Sequence, residues 1–275
     1  RDAERPLGRA DILPPVMATT DLPSELPPRH REAYRVRTYE ADPYGRASVR
    51  TLLLFLQEVA TAHAQLLDIA VRYLIDNRLA WVLTRLKLEV NRWPHGGETI
   101  TVETWPHAAS RLMIERRFSI WGEDGSETGE AATMWIVMDL DRRRPVRLPP
   151  FILDALRPIM SDESPVSLEK IPAAEEPSGS RLFEVRYADL DMVHHVNNAA
   201  YVQWAAETTP EQLWGSHIPA GIDVHYLAEC RFGDTVESQV QDVGNGSFLH
   251  LLRRRSDGAE VLRARTRWER VAEDP

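Results

Sequence analysis

The chain has 275 residues, of which 43% are hydrophobic and 27% charged, as in a soluble globular protein of one large or two ordinary domains. No apolar run approaches the roughly 20 residues that a membrane span needs. A formal net charge of −9 argues against general nucleic-acid binding, which needs a broad basic surface. The single cysteine, Cys230, excludes an intrachain disulfide and suits a reducing cytoplasm.

Residues 1–29 precede any periodic pattern. They contain six prolines, which predicts an extended or disordered lead-in to which we assign no function. The chain opens with R-D-A-E-R-P-L-G and has no apolar h-region there, so no secretory signal is expected in it.

Residues 30–141 have the pattern of one long helix and several antiparallel strands. A strand is predicted at 34–39, and Ser48 then stands where a helix N-cap is expected. Apolar residues recur at spacings of three and four over 49–67, which predicts an amphipathic helix of about five turns. Pro106 is expected to end the second of the later strands. These later elements are a short helix at 69–77 and strands at 80–90, 99–105, 112–121 and 131–140.

Residues 142–180 are rich in proline and are predicted to connect two domains, with a short helix near 151–160. The order strand, turn, helix, strands then begins again in residues 181–275. Its predicted elements are a strand at 183–187, a helix at 198–214 and strands at 223–231, 235–243, 248–255 and 259–268.

The two halves share more than the order of their elements. An offset of 149 residues places Asp42 on Asp191, Ser48 on Asn197, and Glu58 on Glu207. One unit has therefore been duplicated. The histidine His195 has Arg46 at the equivalent position, so the sequence predicts one active half and one half kept for shape or binding.

The turn before the second helix concentrates groups that suit hydrolysis. Asp191 and His195 precede Asn197, the predicted N-cap, whose helix start supplies backbone N–H donors for a developing oxyanion. Asp191 is alternatively a turn-stabilising residue and His195 a surface histidine. Glu229, predicted inside a strand, is a candidate general base or nucleophile. Its neighbour Cys230 is expected on the opposite face of that strand, where it packs in the core.

Other chemistries find little support in the sequence. The adjacent pair His194 and His195 has no further ligand at useful spacing, so no metal is predicted. A G-x-S-x-G elbow is absent, which argues against a serine hydrolase.

With these residues in view, the chain resembles the acyl-acyl-carrier-protein thioesterases. The resemblance spans roughly 30–270 and is carried by D-L-D-M-V-H-H-V-N-N-A-A-Y-V-Q-W before the second helix, Y-L-A-E-C-R-F-G-D downstream, and L-Q-E-V-A-T-A-H-A in the first half. It implies an α+β tandem (double) hot-dog fold, in which an antiparallel sheet wraps a long helix twice. It also implies hydrolysis of fatty acyl thioesters without a metal or organic cofactor.

The resemblance assigns the site residue by residue. Asp191, His195 and Glu229 match the family's catalytic positions. Val193 stands where the family usually has asparagine, so its amide must be replaced by His194, Asn197, a backbone N–H or water.

The resemblance further implies a partner, acyl carrier protein with a phosphopantetheine-linked acyl chain. A basic run after the first sheet is a candidate docking surface for this acidic protein, with solvated surface charge as the alternative; its members are Arg142, Arg143, Arg144 and Arg147. An acyl-CoA thioesterase and a non-catalytic acyl-thioester binding protein stay open as alternatives. We expect a cytoplasmic monomer or homodimer.

Overall fold

The computed structural model describes residues 27–161, 165 and 169–271, so most of the proline-rich lead-in lies outside the described residues. The first repeat contains the long helix α1 (Val49–Leu66), the short helices α2 (Val71–Asp76) and α3 (Pro150–Leu156), and six strands. These strands are β1 (His30–Arg35), β2 (Leu79–Val90), β3 (Thr99–Ala109), β4 (Met113–Trp121), β5 (Glu127–Asp139) and β6 (Arg144–Val146).

The second repeat has one long helix, α4 (Asn198–Thr208), and five strands within the described ranges. Its strands are β7 (Gly179–Glu184), β8 (His217–Tyr226), β9 (Thr235–Gly244), β10 (Ser247–Arg254) and β11 (Glu260–Arg270). In the part of the chain that the structure covers, no helix combines the length and the apolar character needed to cross a membrane.

Both repeats contribute to one antiparallel sheet with the strand order β1-β3-β4-β5-β2-β8-β11-β10-β9-β7, while β6 pairs with the far part of β5. The repeats join at β2 and β8, from the pair Arg85 and His225 to the pair Glu89 and Gly221. Helices α1 and α4 contact each other and pack against strands of this sheet around a shared core. The predicted α+β tandem hot-dog fold is confirmed.

Helix α1 forms because its apolar stripe meets the sheet and its start is capped. Leu52, Leu56 and Val59 are buried in the shared core. The side chain of Ser48 accepts a hydrogen bond from the N–H of Thr51 at 3.1 Å, as the sequence predicts.

Several predicted boundaries are wrong for identifiable reasons. Strand β3 continues through Pro106 because the register shifts there, and a bulge tolerates the missing N–H. Helix α4 ends at Thr208 because Pro210 follows. Strand β8 ends at Tyr226, so Glu229 lies in the irregular segment after the strand and not inside it.

Candidate active site

A tight loop built around Asp191 precedes helix α4. The Oδ1 atom of Asp191 accepts hydrogen bonds from the backbone N–H groups of Val193 and His195, at 3.0 and 3.1 Å. The N–H of Asp191 donates to the carbonyl of His195 at 2.8 Å. His194 adopts φ of 63°, the left-handed region that the equivalent Gly45 also occupies. Asp191 therefore fixes the shape of the loop through an Asx turn, and the shape of the loop sets the direction of the His195 side chain.

The first repeat contains the same loop without the same chemistry. The N–H of Ala47 donates to the carbonyl of Pro94, just as the N–H of Val196 donates to the carbonyl of Cys230. This equivalence places Trp93 where the second repeat has Glu229. The first repeat thus lacks the carboxylate as well as the imidazole, a difference that the fixed sequence offset did not reveal.

Arg46 closes the loop of the first repeat. Its guanidinium is paired with Asp42 at 3.0 Å and donates to the carbonyls of Trp214 and His217, at 2.6 and 3.2 Å. The side chain is 11% exposed. The first loop therefore connects the two repeats, since the guanidinium of Arg46 is hydrogen-bonded to carbonyls of the second repeat.

The second loop brings His195 and Glu229 together. His195 Nδ1 lies 3.3 Å from Glu229 Oε2, while Glu229 Oε1 accepts hydrogen bonds from Arg143 at 2.8 Å and Arg231 at 3.2 Å. Partial burial acts to raise the pKa of Glu229, but the hydrogen bond from Arg143 and the charges around it hold that pKa below its ordinary value. Glu229 is therefore a stable carboxylate beside the imidazole.

Arg143 has a place that the sequence did not indicate. The sequence predicts it as part of a docking surface with Arg142, Arg144 and Arg147. In the structure its side chain, although 69% exposed, donates a hydrogen bond to Glu229. Arg142, Arg144 and Arg147 are exposed. Arg143 is held at φ of 51° in the turn between β5 and β6, so the first repeat reaches across to the second repeat's carboxylate.

Replacing Arg143 by glutamine removes a cation that favours the ionised form of Glu229. The pKa of Glu229 then rises, and the carboxylate is neutralised at a higher pH as the solution is acidified. We expect the side-chain carboxyl carbon of Glu229, followed by NMR as the solution is acidified, to titrate at a higher pH in the variant than in the wild type. The exposed Arg157→Gln change is the control; an unmoved Glu229 titration in Arg143→Gln would show that Arg143 does not affect the pKa of this carboxylate.

Asn197 caps helix α4 as predicted. Its Oδ1 accepts from the N–H of Ala199 at 2.9 Å, and its Nδ2 donates to Oε1 of Gln57 on α1 at 3.2 Å. The carbonyl of Asn197 accepts from the N–H of Ala200. The cap thus uses two amides near the helix start, while Asn198, the first helical residue, lines the cavity described next.

The site opens into a cavity of about 1630 Å³. Asp191, Val193, His195, Asn197 and Glu229 all line it. From there the lining follows α1 into the first repeat and reaches α2, α3 and the inner face of the sheet. Apolar members of this deeper part include Ala60, Ala64, Ile69, Ile75, Ile114, Trp135, Ile136 and Leu156. The candidate catalytic groups of the second repeat therefore border a largely apolar space in the first repeat.

Cys230 is fully buried, and its backbone N–H donates to the hydroxyl of Tyr201 at 2.7 Å. Burial raises the pKa of its thiol, which makes the thiolate scarce. Packing in the core is therefore the better interpretation of Cys230, although this residue lies in an irregular segment and not in the predicted strand. Within the described ranges, no three His, Cys, Asp or Glu side chains cluster so as to hold a metal ion.

Similarity to known proteins follows the same division into repeats. The family models for the acyl-ACP thioesterase N-terminal and C-terminal domains match residues 27–156 and 173–270. The chain is 30% identical to oleoyl-acyl carrier protein thioesterase 1 of Arabidopsis thaliana, with 88% of this chain and 76% of that protein covered. It is 29% identical to the palmitoyl-acyl carrier protein thioesterase of Gossypium hirsutum, with 86% and 62% covered.

Two solved structures share the tandem arrangement. The 12:0-ACP thioesterase from Umbellularia californica has a TM-score of 0.79 at 25% identity, covering 89% of this chain and 98% of that one. An acyl-ACP thioesterase from Bacteroides thetaiotaomicron has a TM-score of 0.78 at 24% identity, covering 88% and 98%. The fold and site define a hot-dog thioester hydrolase. The chain belongs to the acyl-ACP thioesterase family.

Proposed function

We propose that this chain hydrolyses fatty acyl-acyl-carrier-protein thioesters, releasing a free fatty acid and the thiol of the carrier arm. The observation that carries the proposal is the His195–Glu229 pair at the border of a large, mostly apolar cavity. Such a cavity suits an acyl chain, and the pair suits acyl transfer to water. The relatives act on carrier-protein thioesters by name, which favours that substrate over acyl-CoA.

In the mechanism that we propose, His195 is the base and Glu229 positions it. Glu229 Oε2 accepts the Nδ1–H of His195, which leaves the Nε2 lone pair to take a proton from water. The sequence leaves both Glu229 and His195 open as the base, and we favour His195 because ionic partners that stabilise the Glu229 carboxylate also make it a weaker base. Asp191 holds the loop and thereby the direction of the imidazole.

Water attacks the thioester carbonyl, and the oxyanion lies at the start of α4, where we assign the N–H of Asn198 as a donor. The imidazolium then returns its proton to the departing thiolate. In this scheme the backbone N–H of Asn198 replaces the amide that is missing at Val193. The N–H of Val193 itself is donated to Asp191, and its half-buried side chain lines the cavity.

Filling the cavity beside α1 is expected to shorten the preferred acyl chain. Ala64 lines the deeper part of the cavity, about 10 Å along the helix from Gln57, which contacts Asn197. In Ala64→Phe, we expect long-chain substrates to lose kcat/KM by about tenfold or more while short chains are unaffected, because an overpacked site excludes the chain end. Equal losses at every chain length would place the acyl chain elsewhere.

The test of the function is a thiol-release assay with acyl-acyl-carrier-protein substrates of graded chain length. Release that depends on His195 is expected at one or more lengths. Tight binding of the acyl carrier protein without thiol release would instead indicate a non-catalytic binding protein. Faster release from acyl-CoA than from the same chain on carrier protein would indicate an acyl-CoA thioesterase.

The exposed Arg142, Arg144 and Arg147 remain our proposed docking surface for the acidic carrier protein. Because the two repeats already pair through β2 and β8 within one chain, we propose a monomer over a homodimer. We place the reaction in the cytoplasm, where a single cysteine stays reduced; the plant relatives are named chloroplastic.

A further inference from the structure

A buried arginine interrupts the apolar row that strand β4 presents to helix α1. Residues 114, 116, 118 and 120 alternate on one face of the strand, and three of them are Ile114, Phe118 and Ile120. The fourth is Arg116, which is only 8% exposed and lines the same cavity as His195 and Glu229. A cation at such a position requires an explanation, because an uncompensated buried charge is strongly destabilising.

The neighbours of Arg116 do not neutralise it. Its Nη1 lies 3.1 Å from Nδ1 of His63 and 3.2 Å from Oγ1 of Thr104. The adjacent Glu115 is bonded to Arg117 at 2.7 Å, on the other face of the strand. Among the described residues, no carboxylate forms an ion pair with Arg116.

His63 is held neutral and serves as an acceptor. Its Nε2 lies 3.0 Å from the carbonyl of Pro27, so Nε2 carries the proton and Nδ1 accepts from Arg116. Burial and the charge of Arg116 lower the pKa of His63 to about 4. Burial lowers the pKa of Arg116 only to about 10, so the guanidinium stays charged at neutral pH. The cluster therefore presents one fixed positive charge to the cavity.

The position of this charge separates it from the reaction centre. His63 lies about 9 Å along α1 from Gln57, the residue that contacts Asn197 at the catalytic loop. An acyl chain whose thioester lies at His195 passes Arg116 with its tail and not with its carbonyl.

We propose that Arg116 binds a carboxylate in the tail of the acyl chain, so that the cavity accepts half-thioesters of dicarboxylic acids. A guanidinium presents several donors to a carboxylate, and the low dielectric of a largely apolar cavity strengthens the pair. Thr104 and His63 hold the guanidinium in place. This inference rests on the proposed function, since it concerns the chain that lies in the same cavity.

The test measures binding of non-hydrolysable acyl-pantetheine thioethers by calorimetry, in pairs of equal length that end in a methyl group or a carboxylate. At the length that reaches Arg116, the wild type is expected to bind the carboxylate analogue at least as tightly as the methyl analogue. Arg116→Met is expected to shift this ratio toward the methyl analogue by about tenfold or more, while Arg116→Lys retains part of it. Arg35→Met, at an exposed position, leaves the ratio unchanged.

A wild type that binds the methyl analogue more tightly at every length would overturn the inference, and this holds even if Arg116→Met fails to fold. An unchanged ratio in a folded Arg116→Met would overturn it too. Because binding is measured without turnover, the two proposals fail separately. Absence of thiol release together with a carboxylate preference rejects the proposed function alone, and normal release without that preference rejects this inference alone.

Discussion

Replacing His195 by alanine is expected to lower kcat for acyl-thioester hydrolysis by about 10²- to 10⁴-fold. The change removes the proposed base and leaves Glu229 paired with Arg143 and Arg231, neither of which can take a proton from water. The loop itself is held by backbone hydrogen bonds to Asp191, so it should keep its shape. Thiol release from acyl-carrier-protein substrates, measured under single-turnover conditions, gives the rate of the chemical step.

The control for this change is His95→Ala, which removes an exposed imidazole outside the cavity lining and should retain wild-type kcat. Thermal unfolding of both variants separates lost chemistry from lost structure. A folded His195→Ala that retains more than about a tenth of wild-type kcat would transfer the base role to another group, with Glu229 the next candidate.

Asp189→Asn is expected to lower the free energy of unfolding by about 3 kcal/mol at neutral pH. The carboxylate is fully buried and accepts hydrogen bonds from Arg186 of its own turn and from Arg50 of helix α1, at 3.0 and 3.2 Å. Asparagine has the same shape but no charge, so it leaves two guanidinium groups without their counter-ion. Because Arg50 belongs to the first repeat, losing its ion pair with Asp189 weakens the contact between the two repeats.

The difference in unfolding free energy between the wild type and Asp189→Asn is expected to become smaller in acid. Burial acts to raise the pKa of Asp189, but hydrogen bonds from Arg186 and Arg50 hold it below its ordinary value. A depressed carboxyl pKa stabilises the fold above the pKa of the unfolded chain, about 3.9, and this stabilisation disappears as the pH falls through the folded pKa. Urea unfolding should therefore show a constant difference between wild type and variant from neutral pH to about pH 5, and a smaller one in stronger acid.

The first repeat offers a matched control for Asp189. Glu40 occupies the equivalent position and accepts from Arg37, but its side chain is 19% exposed and that of Arg37 60%. Glu40→Gln should therefore cost less than about 1 kcal/mol. Equal costs for the two variants would contradict the role assigned to burial.

Much of the fold could be predicted because hydrophobic periodicity and the internal repeat are local signals. Helix α1 begins and ends within one residue of its predicted bounds, since Ser48 caps it and its apolar stripe is continuous. Strand ends were less predictable. Pro106 interrupts a pattern without ending a strand because a bulge accommodates it, and the register of a bulge depends on the partner strand.

The candidate site was predictable only where its residues lie in one stretch of chain. Asp191, His195 and Asn197 share a loop, and Asn197 caps the helix as expected. Gln57 and Arg143 are brought to the loop by the first repeat's helix and by the turn after β5, so no local spacing indicates them. Arg116 lacked a signal as well, because a single charge in an alternating strand is usually an exposed residue.

Because Arg46 holds the first loop against the second repeat, each polypeptide is expected to have one active centre. Two identical hot-dog subunits would carry the same side chain at both loops, so every gain at one centre would be copied at the other. Joining the two repeats in one chain removes that symmetry. The first loop can therefore differ from the second, and its Arg46 binds the carbonyls of Trp214 and His217. Titration with a tight non-hydrolysable acyl analogue should accordingly reach saturation at one equivalent per polypeptide. This stoichiometry follows from the sequence difference between the two loops and does not depend on a change caused by the ligand.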